Sequence, residues 1–353
     1  MERRGHRSSG ICERRGRRSS GICERRGCRS SGICERRGGL SSGISVVGAR
    51  CNSVFLLSED NILNQHIWFF LLKHYLIGMQ EKNNYTLLRI GELVPLGTYN
   101  NAYSHFERVI NFAAENIVIS LGDNSICLGP YRIIVTGKIP LVKELQVTEK
   151  EVVINNDILL PYSPDRIWKM PALQPPLNAN NTFLLCEKVV NFFICEEQNN
   201  LLTMLLQPSI PQDDFLNQFR NCLIKGINNL KTKQYTLFSQ LIKRRGLGST
   251  PAGDDFLIGY IICLSWLILS GRKELTKQRE EVYQATLDDD LLVNTFLHQA
   301  YSLRLDDDWA NLLLALNENK EINLTKYIDL IMKSGASSGK DMLSGFLFCF
   351  LVN

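Results

Sequence analysis

One spacing, G-x-D-x-L-x-G, occurs twice in this chain, as Gly253-Asp254-Asp255-Phe256-Leu257-Ile258-Gly259 and as Gly339-Lys340-Asp341-Met342-Leu343-Ser344-Gly345, and each copy opens an apolar run. Gly259 and Gly345 fall inside those runs, where a helix loses about 1 kcal/mol relative to Ala. Helices generally tolerate that loss for close packing. The pattern therefore predicts two buried helices that cross near these glycines, with their leading loops side by side.

A loop that turns into a helix presents unpaired N–H groups and the positive end of the helix dipole, and glycine lets backbone approach closely. The first approach reads Arg244-Arg245-Gly246-Leu247-Gly248-Ser249-Thr250-Pro251-Ala252-Gly253, and the second reads Ser334-Gly335-Ala336-Ser337-Ser338-Gly339. Each joins glycines and hydroxyls to a carboxylate and a nearby cation, so the two loops are expected to form one composite site for small anions. The competing reading makes Asp254 and Asp341 N-cap residues and the glycines ordinary turn formers. Capping alone asks for neither a Ser/Thr-rich approach nor a glycine within the helix.

Residues 1–44 are an 11-residue tandem repeat that starts at Glu2, Glu13, Glu24 and, decaying, at Glu35. They hold 12 Arg, no Lys and 4 Glu, a charge of +8 against +4 for the whole chain, so the remainder carries about −4. The basicity belongs to the repeat, and nothing beyond it argues for nucleic acid. Three readings compete for this tract. It is an Arg-rich arm that binds nucleic acid by charge, a cysteine ladder that binds metal, or upstream repetitive DNA translated from an early start codon, which is the favoured one. Its cysteines are not in short C-x-x-C pairs, it has no aromatic residue for stacking, and disorder is expected in each case. Residues 45–78 form an uncertain segment whose apolar stretch at 67–72 is too short for a membrane span. Met79 makes an ordinary start, and a folded body from there is expected to have a β-rich domain at 79–176 and a helical domain at 177–353.

Within that body the six cysteines Cys127, Cys186, Cys195, Cys222, Cys263 and Cys349 form no close sequence pair and read as reduced residues, so a cytoplasmic location is expected. His105 and His298 alone remain there, which argues against a histidine triad or zinc site. β-branched runs at 116–123, 131–135, 151–154 and 158–160 read as strands, 103–114 as a short helix and 161–176 as a proline-punctuated connector. Helical periodicity marks 182–196, 212–229, 235–243, 255–270, 291–304, 309–316, 324–333 and 340–352. The fold class is α+β, an N-terminal β-rich layer followed by a mostly α-helical domain that carries both motifs. The run at 256–269 fits a buried helix better than a bilayer. The acidic turns at 288–290 and 306–308 read as helix caps and solvated charge.

The run from Gly246 through Gly259 resembles the signature G-x-G-x-T-P-x-G-D-D-F-L-x-G of a bacterial domain family of unassigned function whose members include the AllH-type subunit of oxamate carbamoyltransferase from allantoin breakdown. Gly335 through Gly345 is similar to the family's second signature, with Ala336 in place of its histidine. Ser104-His105-Phe106-Glu107-Arg108-Val109-Ile110-Asn111 is similar to a weaker one, so the resemblance spans about 88–353. It implies a subunit of a multi-subunit enzyme that moves a carbamoyl group between phosphate and a small α-keto-acid amide. Catalysis is then expected of Asp254, Asp255 and Asp341. Binding of the small anionic substrate is expected of Arg245, Gly246, Gly248, Ser249, Thr250, Gly253, Ser337, Ser338, Gly339 and Lys340. The aspartates would orient hydroxyls, hold Mg²⁺ through water or serve as a base. A non-catalytic assembly subunit, whose glycine motifs only pack helices, is the alternative.

Overall fold

The computed structural model describes residues 85–176, 179–196, 201–206, 214–246, 248, 250–318 and 320–353. All of them lie in the unit Ile62–Asn353. The expectations for 1–44, for 45–78 and for a start at Met79 lie outside the described residues.

Among the described residues ten strands come first: β1 (Leu87–Gly91), β2 (Gly97–Asn100), β3 (Ser104–His105), β4 (Val109–Ala114), β5 (Ile117–Asp123), β6 (Arg132–Val135), β7 (Glu144–Val147), β8 (Glu151–Ile154), β9 (Ile158–Pro161) and β10 (Ile167–Trp168). They build a six-stranded sheet of order β10-β1-β6-β5-β4-β3 and a four-stranded sheet of order β2-β7-β8-β9. Phe112, Ile119, Leu121 and Ile133 of the first sheet and Leu145, Val152 and Ile154 of the second share one apolar core. Alternation shows in β9, where Ile158 and Leu160 are buried and Leu159 faces out.

Residues 103–114 are not a helix. Val109–Ala114 pairs antiparallel with β5, Ala114 opposite Ile117, across a two-residue turn in which Glu115 takes φ 53°. The apolar spacing there fits either period, and the β5 edge decides it by supplying backbone partners along the whole strand. Asn111, buried in this hairpin, donates to Ser104 Oγ at 2.8 Å and accepts from Ser120 Oγ at 2.7 Å.

The helices follow as α1 (Ala179–Glu196), α2 (Leu201–Leu206), α3 (Asp214–Lys231), α4 (Tyr235–Ile242), α5 (Ala252–Leu269), α6 (Thr276–Thr286), α7 (Leu291–Ser302), α8 (Asp307–Asn317), α9 (Leu324–Met332) and α10 (Ser338–Val352). The α+β order expected from the sequence is borne out. Two helices, α2 and α6, had no sequence signal. The inward face of α6 carries Gln278, Val282 and Thr286, so its burial is partly polar and leaves no apolar stripe; Gln278 Nε2 donates to the Tyr260 hydroxyl at 2.5 Å. Helix α5 is apolar on all sides and long enough to cross a membrane by length and composition, yet 83% of it is buried within this fold. It is the central helix of the larger core.

Two of the contacts between the β layer and the helices involve β5 and β6. Val118 N–H of β5 donates to Thr295 Oγ1 of α7 at 2.8 Å. Arg132 at the start of β6 pairs with Asp306, just before α8, and bonds the Cys127 carbonyl at 2.9 Å. Asp306 is therefore not the side-chain cap that its position suggested. Its carboxyl turns to the arginine instead, while Asp290 does cap α7 through the N–H groups of Leu292 and Val293.

Helices α5 and α10 are related by an approximate two-fold repeat. A Cβ added to Gly259 would lie 1.7 Å from the Met342 carbonyl oxygen, and one added to Gly345 would lie 1.8 Å from that of Phe256. Met342 and Phe256 are themselves counterparts in the two motifs. Gly253 and Gly339 repeat the device, the first against the Ile242 carbonyl at the end of α4 and the second against the Ile331 carbonyl in the last turn of α9. The free thiols of Cys263 and Cys349, again counterparts, hydrogen-bond to each other further along. Two helix-loop-helix units thus pack backbone against backbone, and only glycine permits that approach.

Candidate functional site

Because α5 and α10 touch near their starts, at their glycines and again at the two cysteines, they run side by side in the same direction. Both positive dipole ends consequently point to one place. There the Thr250 hydroxyl of the first loop meets the Ser338 hydroxyl of the second at 2.9 Å. The composite arrangement expected of the two motifs is present.

The aspartates occupy the first turns of the helices, not the cap positions: Pro251 precedes α5 and Ser337 precedes α10, neither with a side-chain cap bond. Asp255 and Asp341 each stand at the fourth helical position, one per motif, and both are buried. The Thr250 hydroxyl donates to Asp255 Oδ2 at 3.0 Å, while Oδ1 is buried with no hydrogen-bond partner among the described residues. Burial pushes the Asp255 carboxyl up to about 7; the Ser338 and Thr250 hydroxyls oppose that rise and the nearby Asp341 and Asp254 charges add to it. Asp341 is lifted by burial to about 6, against the Ser337 hydroxyl and the Lys340 ammonium. Two carboxyls that change charge near neutral pH therefore sit behind one pair of bridged hydroxyls.

Asp254 does a different job. Its Oδ1 accepts the Arg244 N–H at 2.8 Å, which closes the end of α4 where Arg244 turns left-handed at φ 58°. Burial raises its carboxyl and that N–H lowers it. Its counterpart in the second motif is Lys340, so this carboxylate is not part of the repeat. Arg244 is in turn held by the Asp288 carboxylate, with Nη2 2.6 Å from Oδ1. Asp288 was legible only as an acidic turn, and no sequence signal tied it to the loop. Tyr103 of the β layer reaches Asp290 in the same turn at 3.4 Å.

The glycines serve packing more than binding. The Gly253 N–H is taken by the Arg245 carbonyl at 2.7 Å and the Gly339 N–H by the Ser334 carbonyl at 3.0 Å, while Asp254 and Asp255 N–H groups both go to the Pro251 carbonyl. The expected backbone donors are largely engaged within the loops, which leaves hydroxyls, cations and the dipoles to attract an anion. Gly246 and Gly248 take φ 98° and 113° and shape the first loop. Arg245 and Ser337 are exposed, Lys340 is half-buried beside Asp341, and Ser249 lies outside the described residues. Ala336, in the slot of the family's histidine, is exposed in the second turn. Among the described residues no three His, Cys, Asp or Glu side chains converge to hold a metal ion.

No curated protein and no solved structure matches the chain. The β layer lies outside the one matched stretch, which is shorter than the span over which the motifs resemble the family. Residues 244–350, from the first loop through nearly all of α10, are similar to the family model described as oxamate carbamoyltransferase subunit AllH, a match that covers less than half of the chain.

Proposed function

We propose that this chain is a subunit of a carbamoyltransferase-type enzyme of allantoin or purine catabolism and binds small anionic substrates where α5 and α10 begin. The observation that carries the reading is the Thr250–Ser338 bridge with the two raised carboxyls behind it. In the transfer considered, an oxygen of hydrogen phosphate attacks the carbamoyl carbon of oxalurate. The carbon–oxygen bond forms, the carbon–nitrogen bond breaks, and the proton that phosphate loses ends on the departing nitrogen of oxamate. A carboxyl poised near pH 7 suits that proton relay, and Asp255 is the group assigned to it, with Asp341 as its neighbour. Lys340 and Arg245 counter the substrate charge, and the Thr250, Ser337 and Ser338 hydroxyls donate to the tetrahedral oxyanion.

A second reading, an assembly subunit without chemistry of its own, is favoured by one observation. All four motif glycines contact backbone carbonyls, as helix packing alone would require. The two readings part in one experiment. Asp255→Asn and Asp341→Asn are assayed in the assembled enzyme for oxalurate phosphorolysis alongside the melting temperature. Turnover lost with the fold intact supports the site, and turnover unchanged in both variants assigns the aspartates to structure.

A further inference from the structure

The site has an asymmetry that its repeat conceals. Around Asp255 the polar groups are donors or already engaged: Thr250 Oγ1 gives its proton to Oδ2, and the helix starts present N–H dipoles. Among the described residues Oδ1 meets no donor, on a residue with no exposed surface. A buried carboxylate oxygen without a donor is costly, and such an atom selects a ligand atom that carries hydrogen. A phosphate or carboxylate oxygen facing it would be repelled, and no converging group of metal-binding side chains joins it among the described residues. Both signs occur on each side of the pair, with Asp254 and Asp255 in the first turn of α5 and Lys340 beside Asp341 in the first turn of α10, and Lys340 is the cation on the side across from Asp255. A small ligand that fits has an N–H group at one end and a negative charge at the other.

We propose that Asp255 is the specificity-determining residue of this site, its Oδ1 accepting an N–H from the amide or carbamoyl nitrogen of the substrate while the anionic end lies toward Lys340. This rests on the anion-binding reading above and assigns within it the group that tells an amide from an acyl analogue. Because Oδ1 is covered, the ligand reaches it by parting the Thr250–Ser338 bridge. The same contact sets the carboxyl at the nitrogen that must receive a proton.

Oxamate and pyruvate provide the test, since they share size and charge and differ by an amino group in place of a methyl. Calorimetric titration of the full chain at pH 8 is expected to show oxamate bound at least about tenfold more tightly than pyruvate, the loss typical of an unmet charged hydrogen bond. In Asp255→Leu that preference should vanish, with the affinities for pyruvate and inorganic phosphate changed less than about threefold. Asp255→Ala, which removes the acceptor without adding bulk, should lose the preference too and stands in if the leucine variant does not fold. Equal binding of oxamate and pyruvate by the unmodified chain overturns the proposal and leaves Oδ1 to a water molecule. So does a leucine variant that loses all three ligands alike. Failure of phosphate, pyruvate and oxamate all to bind defeats the anion-site reading itself, a separate outcome.

Discussion

Replacing Asp255 by Asn removes a charge that the fold holds at a cost, and the cost can be worked out. The carboxyl moves from 3.8 to about 7 on folding. Between those values the native chain keeps a proton that the unfolded chain releases, so stability falls as pH rises through this window and levels off above about pH 7. At about 1.4 kcal/mol per pH unit, the part of the window between pH 5 and pH 8.5 amounts to about 3 kcal/mol. Asn cannot ionise and escapes that loss. Urea denaturation of both proteins at pH 5, 6, 7 and 8.5 should therefore show the stability of Asp255→Asn gaining on the unmodified chain by up to about 3 kcal/mol across the range. Any fixed cost of burying the amide cancels in the comparison. A difference that stays flat within about 0.5 kcal/mol would mean that Asp255 is ionised in the fold at all these pH values, and the acid–base role would lose its basis.

Other variants test the packing around the site. Gly259→Ala and Gly345→Ala each drive a methyl into a backbone carbonyl of the partner helix, and a loss of about 3 kcal/mol or more apiece is expected by thermal melting. Gly271→Ala is the control, since nothing lies within 4 Å of the added carbon and the left-handed backbone alone should cost about 1–2 kcal/mol. Breaking the half-buried Arg132–Asp306 pair with Arg132→Met should cost up to about 3 kcal/mol in urea unfolding, because the Asp306 carboxyl loses the guanidinium that offsets its desolvation. Asp254→Ala should cost about 1–2 kcal/mol through the lost Arg244 N–H bond, whereas Asp254→Asn, which can still accept it, should be nearly silent.

The sequence by itself determined the order of the fold and the meeting of the two motifs. Alternating β-branched runs and helical periodicity are local properties, and a glycine repeated within an apolar helix announces a close crossing before any coordinates are seen. Local pattern did not decide residues 103–114, where strand and helix spacing coincide and the free edge of β5 made the choice. Nor did it reveal α6, whose buried face includes Gln278, satisfied by the Tyr260 hydroxyl of another helix, and Thr286, satisfied by the Val282 carbonyl one turn back. The roles of the adjacent aspartates were equally hidden. Asp254 and Asp255 are one residue apart on a helix, so about 100° of rotation turns the first toward the Arg244 N–H and the second toward the neighbouring loop. Which carboxylate keeps a bare oxygen depends on where the Arg244 N–H and the Thr250 and Ser338 hydroxyls come to rest, and only the tertiary structure brings them there.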